Sequence, residues 1–153
     1  MNDPTLLHTT AASLLTVIED AVAGVFAYDQ SCVTVGEPGF TCDSIHVWPS
    51  LLSVVQDDCQ AAQIQVQLSW AIAVCTGTDR DEECDWWNSI APGAHAVVWQ
   101  AWVGIIDAWT DGTLCGVECN NVTIGPVSPF TDGGIAAWIG TVTLDVAPTL
   151  AAS

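Results

Sequence analysis

Three histidines, His8, His46 and His95, and seven cysteines are the side chains with which this chain would do nucleophilic or metal chemistry. The stretch CVTVGEPGFTC, residues 32 to 42, is bracketed by two of the cysteines, and His46 follows shortly. A Cys32/Cys42/His46/Cys59 set has the ligand types that zinc takes. Zinc sites, however, usually combine two close ligand pairs of the form C-x2–4-C, and here only Cys115 and Cys119 (CGVEC) are close. Buried free thiols packing as small hydrophobes are the expectation, with disulfides between some pairs as the alternative and a metal site behind both. No histidine falls in an HExxH spacing, and there is no GxSxG, P-loop or GxGxxG. A cysteine nucleophile and its histidine base meet only in space, so spacing alone assigns none. The sequence therefore yields no catalytic residue, no metal ligand and no cofactor. The acidic runs Asp57-Asp58 and Asp79-Arg80-Asp81-Glu82-Glu83 lack the alternate-ligand spacing and glycine of a calcium loop and read as solvated.

The charge balance excludes more than the motifs do. The chain carries 18 carboxylates against one basic side chain, Arg80, for a formal net charge of −17 over 153 residues. One arginine does not neutralise a phosphate backbone, so nucleic-acid binding is excluded as a function. Two pressures would remove positive charge: a salt-rich cytoplasm, in which surplus carboxylate keeps a protein hydrated, and a surface that must not hold DNA. General acidic solubility is the plainer account. Half the residues are apolar and eight are Trp, so a packed core is expected rather than disorder. The first segment, MNDPTLLHTTAASLL, has no basic n-region and does not read as a signal peptide. IAPGAHAVVWQAWVGIIDAW is interrupted by Pro92, His95, Gln100 and Asp107 and does not read as a membrane span.

These residues need elements to position them. Asp3-Pro4 reads as the start of a helix of about twenty residues, with Asp as N-cap and Pro at N1. Its inner face would be Leu7, Ala11, Leu14, Leu15, Ile18, Val22 and Val25, with Gly24 near its end. SCVTV reads as a short strand, and SIHVW and LLSVV as short apolar runs separated by Pro49-Ser50. QIQVQLSWAIAV (63–74) is the clearest strand, apolar at every even position and polar or small at every odd one. A tryptophan-rich helix is expected over 86–110, with Trp87, Ala91, Ala94, Val98, Trp102, Ile105 and Trp109 in one stripe and Trp99 and Ile106 widening it. NNVTIGPVSPF reads as a proline-broken edge strand, and GGIAAWIGTVTLDV as the closing strand. The order predicts a single α+β domain over 1–153: an N-terminal helix, a mostly antiparallel sheet, and one long apolar helix packed on it.

Taken in order, the helix, CVTVGEPGFTCDSIHV, QIQVQLSWAIAVC, the long helix and CNNVTIGPVSPFTDGGIAAWIGTVTLDV resemble the tail terminators and related head-to-tail connector proteins of siphophage-like tailed viruses of actinobacteria and haloarchaea. The likeness spans roughly residues 5 to 147 and is one of element order. The scarcity of Lys and Arg departs from the actinobacterial pattern and fits a halophile's virus better. The resemblance implies a non-enzymatic virion protein, a homohexameric ring at the head-proximal end of the tail tube. It would contact itself, the tube protein and a head-completion or connector protein, with DNA only passing through the lumen and no membrane involved. It would be made in the host cytoplasm and end in the virion neck. Trp87, Trp99, Trp102 and Trp109 are the expected interface residues. Asp79, Asp81, Glu82, Glu83 and Asp85 are the expected exposed or lumen-facing acidic surface. The alternatives are another neck, tail or minor capsid protein, or an acidic enzyme or binding domain of a halophile.

Overall fold

A computed structural model describes residues 6–55, 63–75, 91–110, 121–132 and 134–146. Among them run α1 (Leu6–Val22), β1 (Gln30–Val33), β2 (Ser44–Val55), β3 (Gln63–Cys75), α2 (Ala91–Thr110), β4 (Asn121–Ile124), β5 (Ser128–Asp132) and β6 (Ile135–Val146). The architecture is α+β. The sheet is mixed, in the order β1-β2-β3-β6-β4, with β5 also paired to β6. Only the β1–β2 pairing is parallel; the others are antiparallel. The Asp3-Pro4 cap, residues 86–90, the Asp111-Gly112 helix stop and Cys59, Cys84, Cys115 and Cys119 lie outside the described residues.

The alternation of β3 organises the molecule. Val66, Leu68, Trp70, Ile72 and Val74 all point to the helical side and are buried, in one core with Ile45 and Val47 of β2 and Trp138, Val142 and Leu144 of β6. The register places Trp70 between Val47 and Gly140, and Ile72 between Ile45 and Trp138. From α1, Ala11, Leu14, Ile18 and Val22 complete this core. Val25 is exposed, because α1 ends before it: Gly24 takes φ 85°, and Val25 and Phe26 both donate to the Val22 carbonyl at 3.0 Å.

Several expectations need correction. SIHVW and LLSVV are not separate runs but one strand, β2, with a register shift between Pro49 and Leu51. Proline is tolerated because β1 pairs with β2 only from Ser44 to Val47. Beyond that point one edge of β2 has no partner among the described residues, so the missing N–H breaks no ladder there. Ser50, the bulged residue, donates its hydroxyl to the Gln67 carbonyl at 3.1 Å.

The buried face of α2 is also rotated from the expected stripe. Val97, Ala101 and Ala108 are buried together with Ala94, Val98 and Ile105, whereas Trp102 is half-buried and Trp99 is exposed. Residues 97, 101, 104 and 108 form a row of small side chains. A Cβ added at Gly104 would collide with the Ala21 Cβ of α1. The two helices thus approach through alanine and glycine, and the indoles are displaced to the flank.

The opposite face of the sheet is partly covered too. Ala71, Ala73 and Ala137 face away from the helices yet are buried. The segment between β1 and β2 crosses this face. Phe40 packs 5.9 Å from His46 and 6.0 Å from both Trp48 and Phe130, centroid to centroid. Cys42, at its end, forms a disulfide with Cys75 at the end of β3. The expectation of free thiols therefore fails for this pair. Cys32 is free.

Candidate functional site

Two places bring potentially functional side chains together. The first answers the cysteine–histidine question. Cys32 on β1 is the register partner of His46 on β2, and its Sγ lies 3.5 Å from His46 Nδ1. A thiol beside an imidazole is half of what a cysteine nucleophile needs. The other half is something that stabilises imidazolium. His46 is buried, its Nε2 has no hydrogen-bond partner, and burial lowers its pKa from the ordinary value. The imidazole is thus held in its neutral form, and the geometry supports packing of the two side chains. Among the described residues no group of three His, Cys, Asp or Glu side chains gathers to hold a metal ion.

The same burial has a consequence for stability. The unfolded imidazole takes a proton near its usual pKa of about 6.5, while the folded one resists until lower pH. The unfolded state therefore binds more protons as pH falls below about 6.5, and the stability contributed by neutral His46 is lost as pH drops through the depressed native value. Falling pH also relieves repulsion among the carboxylates, which acts in the opposite sense. The comparison must then be between variants: urea titrations from pH 8 to 5 are expected to show a steeper acid loss in the wild type than in His46→Asn. Parallel pH profiles would assign the acid response elsewhere.

The second place is a cleft of about 400 Å³ between α2 and the far edge of the sheet. His95, Val98, Trp99 and Trp102 recur at helical spacing along one flank of α2. Trp138 enters from the inner face of β6, and Pro126 and Val127 close the cleft from the connection between β4 and β5. The His95 ring meets Trp138 edge-on at 5.3 Å and 90°. Trp99 and Trp102 stand 5.9 Å apart with their planes at 57°, and Trp99 is 60% exposed. Trp102 Nε1 is buried without an acceptor. Among the described residues, no carboxylate, lysine or arginine lines the cleft. Apart from the His95 imidazole, its described walls are indole faces and aliphatic side chains, suited to holding an apolar or cationic group.

Of the residues expected at an interface, Trp99 and Trp102 come together here. Trp109 lies in the last turn of α2 with its side chain outside the described residues, and Trp87 lies outside them altogether. The acidic residues Asp79, Asp81, Glu82, Glu83 and Asp85 also lie outside. Trp138, Pro126 and Val127 were not singled out from the sequence. Trp138 lies within the closing strand expected from GGIAAWIGTVTLDV, but its share in a cleft follows only from its meeting His95 of α2. No helix among the described residues is long and apolar enough to cross a membrane.

No protein-family model matches the chain, and no curated protein matches it. A solved structure described as the virion of a native gene transfer agent particle aligns with 94% of this chain and 98% of that one, at 9% identity and a TM-score of 0.42. A likeness that distant carries no functional argument, and the reading below rests on the residues.

Proposed function

We propose that this chain is a non-enzymatic structural subunit of a tailed-virus particle. It forms a homohexameric ring at the head-proximal end of the tail tube, stops tube growth and joins the tube to a head-completion or connector protein. The observation that carries the reading is the combination of an indole-walled surface cleft with a net charge of −17. An exposed tryptophan, Trp99, at the mouth of an aromatic groove marks a surface that meets protein. A chain with one arginine repels nucleic acid, as a lumen through which DNA slides without sticking requires. The element order along the chain, resembling that of tail terminators, supports the same reading. The subunit is made in the host cytoplasm and works in the virion neck, and the flank of α2 faces a neighbouring chain.

Light scattering on the purified protein tests the ring. Repulsion between acidic subunits weakens as salt rises and the screening length shrinks from about 10 Å at 0.1 M to about 3 Å at 1 M. A mass of six chains is therefore expected at molar salt, falling toward smaller species at low salt. A monomer across the whole range overturns a preformed ring.

A further inference from the structure

We propose that the cleft between α2 and β6 is a docking site for a cationic side chain, an arginine or lysine flanked by apolar residues, presented by a different protein of the assembly. This rests on the reading of the chain as one component of a multi-protein particle, and it names the chemistry of the partner. Charge selects the occupant. A second copy of this chain, even as a neighbour in a ring, carries a single cationic side chain, Arg80, and so has little to offer an aromatic wall. A basic partner is drawn in by the field of the −17 net charge. The walls then decide the contact. Trp99 and Trp102 form an open V, 5.9 Å between centroids at 57°, and Trp138 stands at the base of the same cleft. A cation within about 6 Å of an indole face is attracted by the ring quadrupole, and a flat guanidinium also stacks on it. Among the described lining residues there is no carboxylate to hold the cation away from the rings by an ion pair. The aliphatic side chains Val98, Pro126 and Val127 would take the apolar flanks of the partner segment. The contact is short-ranged, so it outlasts the salt that screens the steering field.

The test is calorimetric titration of the full chain with the peptide Leu-Arg-Leu-Arg-Leu and with its citrulline counterpart, which keeps shape and loses charge. Both are titrated into the wild type and Trp99→Ala. Because Trp99 is exposed, the variant is expected to fold, and thermal melting verifies this. The arginine peptide should bind the wild type about tenfold more tightly than it binds the variant, and about tenfold more tightly than the citrulline peptide binds the wild type. Three titration results overturn the proposal: no binding, equal binding by wild type and variant (a diffuse charge effect), or equal binding of the two peptides (a purely apolar groove). If Trp99→Ala instead breaks up a hexamer, the cleft holds a second copy, and the proposal fails while the ring stands. If the protein is monomeric but the arginine peptide still binds through Trp99, the ring fails and the docking site stands.

Discussion

Replacing Trp70 with alanine is expected to lower the unfolding free energy by about 3–5 kcal/mol, the range for deleting a large core aromatic. Trp70 is fully buried at the centre of β3, between Val47 on β2 and Gly140 on β6. Its indole lies over Gly140: a Cβ added there would stand 2.6 Å from Cε2 and Nε1 of the ring. Gly140 is thus a space, not a turn, and it exists for the tryptophan. Gly140→Ala should cost about 1–3 kcal/mol by overpacking, although alanine is otherwise the better strand residue. The two effects are not independent. With Trp70→Ala in place the collision is gone, and Gly140→Ala should become neutral or mildly stabilising. Chemical denaturation of the two single variants and the double variant measures this. If Gly140→Ala costs the same in both backgrounds, the ring is not what excludes the methyl group. Because Trp70 Nε1 has no hydrogen-bond partner, Trp70→Phe forfeits volume but no hydrogen bond, and it should cost less than the alanine variant.

That contact shows which parts of the fold the sequence made legible. Period-two patterning is a local property, and β3 carries it over twelve residues, so its location and inner face could be read directly. Gly140 sits at the position opposite Trp70 only by register, and register is a relation between distant segments. The same limit explains β2. Pro49 reads locally as a break, and it is accommodated only because β1 stops at the partner of Val47. The buried face of α2 departs from its most hydrophobic stripe because side-chain size, not hydrophobicity, decides which face meets α1. The face toward α1 is defined by Gly104 and small alanines, which score weakly as apolar but permit close helix approach. The tryptophans stood out in the sequence, yet what makes Trp99 and Trp102 a cleft is Trp138 and the Pro126-Val127 connection, brought alongside by the pairing of β4 and β5 with β6. The Cys32–His46 contact is likewise a product of the parallel β1–β2 register.

Reduction of the Cys42–Cys75 disulfide is expected to cost about 3–4 kcal/mol, because the bond closes a loop with a sequence separation of 33 and removes that freedom from the unfolded chain. For a chain of this size the melting temperature should fall by about 10 °C. The local geometry explains why these two of seven cysteines meet, with Cα atoms 4.9 Å apart, inside the usual range for a disulfide. Cys75 is an odd residue of β3, on the face away from the helices, where its strand neighbours Ala71 and Ala73 leave room for a covering segment. Cys42 ends that segment just before the chain turns into β2 through Asp43, at φ 53° with its carbonyl accepting from Asp29 N–H at 2.7 Å. The cross-link and Phe40 therefore hold the same cover in place. Thermal melts of the wild type with and without reductant should differ by the stated amount. The Cys42→Ser/Cys75→Ser double variant should melt with the reduced wild type and not respond to reductant. A wild type whose melting is unchanged after verified reduction would show that Phe40 packing alone secures the segment. Under the proposed reading of the chain as a virion subunit made in a reducing cytoplasm and released in the particle, the reduced form must still fold. The core built on Trp70 is independent of the bridge, so the reduced chain should keep its sheet and both helices, and the bridge would add its stability only after release.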